Sequence, residues 1–239
     1  MSVLKESQKE RDVELSKILE LPLEAIENID IFNKDNIKIF DEACQKPPKN
    51  QTEYEGLYKC YKNLDIVSYI KTLMYTSVYK RGKDLQKNLD LASGNCLDFG
   101  SGVGTHSIYM IQNGCRVGVL DVPNSPLLDF TIRRLKYRGM IDKNKFIELY
   151  YSSQYLPSNF FDYVNCLDVL EHVYNPLAEI KNIYNTLKID GILHLQVSKM
   201  IKPSSGHFQD SIIKWLNEGF DFLKSYFKEE SNNIYRKVK

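Results

Sequence analysis

The sequence predicts an α/β fold, with a doubly wound, mostly parallel sheet of seven strands behind a helical N-terminal extension. From Asn95 onward, short apolar runs alternate with helical segments, which is typical of a parallel sheet covered on both faces. Before Asn95, apolar residues recur at three- and four-residue spacing, which indicates amphipathic helices. We therefore expect a helical cap at residues 1–90 and a sheet domain at residues 91–239.

Composition and charge narrow the classes of partner. The 239 residues have a formal net charge of +1, so the chain lacks the basic excess that binds phosphate backbones, and nucleic acid is not favoured as a partner. No apolar run approaches the roughly 18 residues of a membrane span, and the charged N-terminus is not a signal peptide. The five cysteines form no CxxC pair and are expected to be reduced. We expect a cytoplasmic protein without a membrane partner; no metal site is predicted, and the oligomeric state stays open.

The N-terminal extension contains two predicted helical stretches. The first covers Val13 to Leu19 and ends near Pro22, because proline cannot continue a helix. The second is a stripe at residues 54–80, beyond the polar connection at Pro47 and Pro48. Its apolar members are Leu57, Tyr61, Leu64, Val67, Ile70, Met74 and Val78. We expect this stripe to pack on the rest of the protein; that its tyrosines also wall a substrate pocket is a second, compatible interpretation.

The predicted sheet has five parallel strands followed by an antiparallel tail. The parallel strands are expected at residues 96–99, 116–120, 146–150, 161–167 and 192–197. Helices connect them, with Gly114 ending the first and Ser125-Pro126 and Asn175-Pro176 starting the next two. In the tail we expect a helix at residues 211–217 and antiparallel strands at residues 222–227 and 234–238.

A glycine-rich turn follows the first predicted strand. Residues 97–104 read Leu-Asp-Phe-Gly-Ser-Gly-Val-Gly, and glycines allow a strand to turn sharply into a helix while the backbone approaches a ligand closely. Seventeen residues after Gly104, Asp121 ends the second strand, where an acid can accept both hydroxyls of a ribose. In the dinucleotide pattern GxGxxG, a third glycine would fall at position 105, which is Thr105. A nicotinamide dinucleotide is therefore disfavoured.

The spacing GxGxG after Asp98 resembles the first motif of class I S-adenosylmethionine (SAM)-dependent methyltransferases. The resemblance extends over residues 95–198 in the family's order. Later motifs are Asp121, residues 152–157 (SSQYLP) beside the adenine, residues 161–164 (FDYV) with 167–173 (LDVLEHV), and residues 187–193 (LKIDGIL). The resemblance implies a Rossmann-like fold, SAM as the cofactor, S-adenosylhomocysteine as the product and a methyltransferase activity for residues 91–239.

The resemblance also implies the residues that bind the cofactor. They are Asp98, Gly100, Ser101, Gly102, Gly104, Thr105, Asp121, Val122, Ser152, Ser153, Leu167 and Asp168. One position departs from the family: many relatives have an Asp in the adenine loop where this chain has Ser152. A hydroxyl or a backbone carbonyl can take over that contact.

The acceptor is less determined than the cofactor. An amine acceptor needs only to be held neutral, whereas a hydroxyl needs a general base. His207, in the loop after the fifth strand, and His172 are the candidate catalytic residues, and the N-terminal helices with residues 199–210 are expected to cover the acceptor. A small molecule is the favoured acceptor and a peptide or protein the second. A non-catalytic SAM-binding scaffold, a nicotinamide-dependent oxidoreductase and an aminopropyl transferase remain as alternatives.

Overall fold

The computed structural model describes residues 2–44, 58–79, 84–197 and 207–239. The predicted α/β class is confirmed: seven strands form one sheet in the order β3-β2-β1-β4-β5-β7-β6. The strands are β1 (Asn95–Phe99), β2 (Arg116–Leu120), β3 (Phe146–Tyr150), β4 (Phe161–Leu167), β5 (Leu187–Gln196), β6 (Phe227–Ser231) and β7 (Ile234–Lys237). β1 to β5 pair in parallel, and β7 is antiparallel to both β5 and β6.

The strand order reverses direction at β1, because β2 and β3 lie on one side of it and β4 and β5 on the other. In open α/β sheets, ligands bind outside the carboxyl ends of the strands at such a switch point. The glycine turn after β1 therefore starts where the fold itself favours a ligand site.

Helices cover both faces of the sheet and build the N-terminal extension. They are α1 (Gln8–Leu19), α2 (Leu23–Glu27), α3 (Lys34–Cys44), α4 (Ile66–Tyr79), α5 (Leu85–Leu89), α6 (Thr105–Gln112), α7 (Pro126–Tyr137), α8 (Pro176–Thr186), α9 (Gln209–Lys214) and α10 (Phe220–Tyr226). The predicted caps are present: the Ser125 hydroxyl accepts from the Leu128 amide at 3.1 Å, and the Asn175 side chain caps α8. A π-helical turn, Trp215–Gly219, joins α9 to α10.

The N-terminal helices pack on the sheet domain through a cluster of their own. Leu15 of α1 and Met74 of α4 are almost fully buried against Leu127 and Phe130 of α7. Arg11 of α1 is also buried, and its guanidinium donates to the Met74 carbonyl at 2.7 Å. The prediction that the apolar stripe packs on the rest of the protein is confirmed for Tyr61, Val67, Ile70 and Met74, whereas the division at residue 90 stays a prediction.

The predicted helix at residues 54–80 is wrong in one respect, because it is interrupted. A 3-10 helix over Tyr58–Asn63 ends before α4 begins at Ile66, and residues 51–57 and 80 lie outside the described part. Asp65 causes the break: its carboxylate caps the Ser68 amide at 3.2 Å. The Asn36 side chain also donates to the carbonyl of Asp65 and accepts from its amide. Pro47 and Pro48 are likewise outside the described residues.

The predicted strand at residues 222–227 is also wrong. These residues belong to α10 up to Tyr226, and β6 begins at Phe227. The aromatic side chains of this segment pack at helical spacing, since the ring centroids of Phe222 and Tyr226 lie 4.6 Å apart. At the other end of the sheet, β5 starts at Leu187, five residues before the predicted strand, with an irregular register opposite β4.

Within the described ranges, no helix is long and apolar enough to cross a membrane. The cytoplasmic location stays a prediction.

Candidate cofactor and acceptor site

The glycine turn has the backbone that its sequence predicts. Gly100, Gly102 and Gly104 all have positive φ, at +75°, +54° and +72°, a region that other residues rarely adopt. A Cβ on Gly100 would lie 2.4 Å from the Val169 side chain, so this position excludes any larger residue. A Cβ on Gly102 would meet no described atom within 4 Å. The turn is therefore tight beneath Gly100 and open above Gly102.

Asp121 holds this turn from the end of β2. Its carboxylate accepts from the Gly102 and Val122 amides, each at 2.7 Å, and from the Ser101 hydroxyl at 3.3 Å. Burial raises the pKa of Asp121 to about 6, although the bonds from Gly102 and Val122 act in the opposite direction. Asp121 as a whole residue is half-buried at the end of β2.

Asp98 lies beneath the turn. Its carboxylate accepts from the Ser107 hydroxyl at 2.5 Å and from the Asn165 side-chain amide at 2.9 Å, and the residue is 1% exposed. Asn165 also lies 3.2 Å from the His106 ring, whose other nitrogen is 3.1 Å from the Ser77 carbonyl. Asp98 thus belongs to a buried polar network that links β1, β4 and α6 with α4.

Thr105, the first residue of α6, connects the turn to the N-terminal helices. Its hydroxyl lies 3.0 Å from the Ser77 hydroxyl and accepts from the Arg134 guanidinium at 2.9 Å. Arg134 is fully buried and pairs with Glu14 of α1 at 2.9 Å, and Glu14 also binds Arg138. Burial raises the pKa of Glu14, but the two arginines outweigh it and the pKa is lowered. Sequence reasoning missed this network, because Glu14 and Arg134 lie 120 residues apart in the chain.

A cavity of about 750 Å³ opens next to Asp121. Val122 and the following residues form one wall, and Tyr151 after β3 forms another. Tyr61, Leu64 and Ile66 of the N-terminal extension also line it. Of the tyrosines in the predicted stripe, Tyr61 therefore lines a pocket.

The predicted adenine loop follows β3 on the same side of the sheet. Ser152 is half-buried and has an extended backbone, and Ser153 starts a 3-10 turn. The Ser153 hydroxyl accepts from the Asn182 amide at 2.7 Å. Tyr151 and Tyr155 are 56% and 76% exposed, so neither ring packs in the core.

Leu167 and Asp168 lie at the carboxyl end of β4. Leu167 is nearly buried, whereas Asp168 has a φ of +54° that turns the chain away from the strand. The amide of Asp168 donates to the Gln196 carbonyl at 2.9 Å, and its carboxylate accepts from the Gln196 side chain at 3.0 Å. The ends of β4 and β5 are thereby held together.

The two candidate catalytic histidines meet beyond this edge. The His172 and His207 rings lie edge to face with centroids 4.7 Å apart, although 34 residues separate them in the chain. Glu171 completes a cluster in which one ligand atom of each residue lies within 4.8 Å of the others. Burial and the neighbouring His172 lower the pKa of His207. Sequence reasoning found both histidines but not Glu171, which is fully buried.

The predicted residues therefore form two neighbouring groups. The first follows β1, β2 and β3 and contains Asp98, Gly100, Ser101, Gly102, Gly104, Thr105, Asp121, Val122, Ser152 and Ser153. The second follows β4 and β5 and contains Leu167, Asp168, His172 and His207. The side chains of Asp98 and Thr105 are bonded within the protein, so their contact with a cofactor stays a prediction.

Similar folds occur among solved structures. A SAM-dependent methyltransferase from Aquifex aeolicus is 17% identical, with a TM-score of 0.49 over 65% of this chain and 88% of that chain. A protein from Pyrococcus horikoshii OT3 is also 17% identical, with a TM-score of 0.46 over 75% and 93% of the two chains. Neither likeness bears on the acceptor.

Curated proteins match part of the chain. The ubiquinone biosynthesis O-methyltransferase of Pseudomonas aeruginosa (strain UCBPP-PA14) is 30% identical over 111 residues, which is 46% of this chain and 47% of that protein. The protein of the same name from Pseudomonas entomophila (strain L48) is 31% identical over 107 residues, 45% of each chain. The chain thus spans about half the length of the curated relatives it matches.

A family model described as a methyltransferase domain matches residues 76–224, which is more than half of the chain and includes both groups of site residues. The chain therefore belongs to the methyltransferase domain family, and its cofactor is SAM.

Proposed function

We propose that this protein transfers the methyl group of SAM to a hydroxyl oxygen of a small molecule. The observation that carries the proposal is the Asp121 carboxylate, which is bonded to the glycine turn and directly precedes Val122 in the wall of a cavity of about 750 Å³. SAM, when bound, supplies an electrophilic methyl carbon on a sulfonium, so the protein's tasks are orientation and the exclusion of water.

The cofactor fits the first group of residues. The open space above Gly102 lets a ligand approach the backbone, and Asp121 offers the acceptor oxygens that two ribose hydroxyls require. The cavity that begins at Val122 suits the adenine, with Tyr151 in its wall directly before Ser152 and Ser153, and with Tyr61 contributed by the N-terminal extension. The first amides of α6, behind the turn, favour the negative end of the ligand.

The methionine end of the cofactor is assigned to the region between β1 and β4. Leu167 and Asp168 end β4 beside the turn, and the Asp168 backbone is held by Gln196. Asp98 supports the turn from below through Ser107 and Asn165. Thr105 contributes by fixing the start of α6 to Arg134.

The acceptor is assigned to the carboxyl ends of β4 and β5. In the proposed reaction the hydroxyl oxygen forms a bond to the methyl carbon while the carbon–sulfur bond breaks. The electron pair of that bond returns to sulfur, which gives S-adenosylhomocysteine, and the hydroxyl proton leaves to a base or to water. His172 and His207 are the candidate groups at this end, and the relatives named O-methyltransferases support oxygen as the acceptor atom.

The experiment is a turnover assay with a panel of acceptors. We expect release of S-adenosylhomocysteine with a phenol or catechol, and a methylated product by mass spectrometry. Asp121→Ala is the control that keeps the acceptor end intact. Turnover with a peptide but with no small hydroxyl compound contradicts the choice of acceptor. SAM binding without turnover on any of them supports the non-catalytic alternative.

A further inference from the structure

Three metal-ligating side chains meet at the acceptor end. Glu171 and His172 follow β4, and His207 comes from the segment before α9; one ligand atom of each lies within 4.8 Å of the other two. Glu171 is fully buried and His207 is half-buried, so the cluster is largely removed from water. One carboxylate with two imidazoles is a ligand set that suits Zn²⁺ and Fe²⁺.

We infer that Glu171, His172 and His207 bind one divalent transition-metal ion of the Zn²⁺ or Fe²⁺ class. A tetrahedral ion with bonds of about 2.1 Å holds its ligand atoms roughly 3.4 Å apart. From separations of up to 4.8 Å, the ligand atoms therefore need to approach one another by at most about 1.4 Å, which is within the reach of side-chain rotation. The two imidazoles favour these ions over Mg²⁺ and Ca²⁺, which prefer oxygen ligands alone.

The backbone fixes the two segments that carry the ligands. The Phe208 amide donates to the Glu171 carbonyl at 2.9 Å, and the Ser211 hydroxyl donates to the Val173 carbonyl at 2.5 Å. The His207 nitrogen Nδ1 is buried and has no hydrogen-bond partner in the part of the chain that the structure describes. A metal ion would satisfy this nitrogen, since a buried polar atom is costly without a partner.

The charges around the cluster also favour a cation. Asp41 of α3, Asp168 after β4 and Glu171 all act on His207 with negative charge. Opposite charges attract more strongly when they are partly removed from water, so three carboxylates around two imidazoles favour a divalent ion.

The role of the ion rests on the proposed function. Three protein ligands leave a coordination position open, and a hydroxyl bound there loses its proton to water more easily. The resulting oxygen then forms the bond to the methyl carbon while the carbon–sulfur bond breaks toward sulfur, as above. This places the activation of the acceptor on the metal.

The test is a titration of the full chain, without a tag and treated with a chelator, with Co²⁺ as a spectroscopic probe. We expect one equivalent to bind and to give visible absorption bands. Since the chain has four histidines, ring ¹⁵N spectra with Zn²⁺ should shift His172 and His207 and leave His106 and His194 in place. No binding, or shifts at His106 or His194 instead, would overturn the inference without any variant.

Substitutions of the proposed ligands, compared with a control substitution, test which residues bind the ion. Glu171→Gln and His207→Gln should each weaken Co²⁺ binding at least tenfold, whereas His194→Gln, which removes an imidazole within β5, should leave it unchanged. Equal binding by His207→Gln and the wild type contradicts the site.

The failure of this site and that of the proposed function are distinguishable. S-adenosylhomocysteine release from metal-free protein, together with absent Co²⁺ binding, rejects the metal and leaves the methyltransferase. Co²⁺ binding at these residues without release on any acceptor supports the metal site and rejects the proposed function.

Discussion

A substitution at Gly102 distinguishes an effect on folding stability from an effect on cofactor binding. A Cβ at this position would meet no described atom within 4 Å, yet it would project into the space that we assign to SAM. Gly139, at the end of α7, is a matched control, because it also has positive φ (+62°) and would also place its Cβ in open space within the described structure. Gly102→Ala and Gly139→Ala therefore impose the same kind of backbone strain at two sites, only one of which is assigned to the cofactor.

The expected magnitudes follow from those environments. An alanine in the left-handed region costs about 1–2 kcal/mol, so both variants should lose about that much unfolding free energy. The extra methyl group in a tight ligand site costs a further 1–3 kcal/mol of binding, which is roughly 5- to 150-fold in the SAM dissociation constant. That second loss is expected for Gly102→Ala and not for Gly139→Ala.

Urea unfolding without ligand and calorimetric titration with SAM measure the two quantities separately. We expect similar unfolding free energies for the variants and weakened SAM binding for Gly102→Ala alone. Unchanged SAM affinity in a folded Gly102→Ala protein would refute the placement of the cofactor above the turn.

Three further predictions concern charged groups. Asp121→Ala should weaken SAM binding by at least tenfold (about 1.4 kcal/mol) in calorimetry while circular dichroism stays unchanged, because the ribose loses its acceptor; equal affinity contradicts the assignment. Because burial raises the pKa of Asp121 to about 6, ionisation of this carboxyl destabilises the unliganded fold. The free energy of unfolding should therefore fall as the pH rises from about 4 to about 6, by up to roughly 3 kcal/mol for two pKa units. Urea unfolding across this range should show that fall in the wild type and not in Asp121→Asn. Glu14→Gln should lower the free energy of unfolding by about 3–5 kcal/mol, because it leaves the buried Arg134 without its ion pair. The control Glu230→Gln, in an exposed pair with Arg236, should lower it by at most about 1 kcal/mol. Equal shifts of the melting temperature would argue against a stabilising role of the buried network.

The parallel part of the sheet was predictable because its signals are local. β2, β3 and β4 have the predicted bounds, since each is a short apolar run between turn residues. The glycine turn was predictable for the same reason: closely spaced glycines are a local signal of a sharp turn, and the structure shows positive φ at all three.

The remaining features depend on tertiary contacts that no local pattern reports. Asn36 stabilises the break before α4 from another helix, and Phe222 packs on Tyr226 in α10 although aromatic residues favour strands. The link from Glu14 through Arg134 to Thr105 and the contact of His172 with His207 join residues far apart in sequence. Such pairs are formed by the topology and become visible once the fold is known.

The most direct test of SAM binding is calorimetric titration of the full chain with SAM, S-adenosylhomocysteine and NAD side by side. We expect binding of both sulfur nucleotides with one site per chain and no binding of NAD. Binding of NAD alone, or SAM binding that is unchanged when Asp121 is replaced by alanine, would contradict the assignment of the cofactor site.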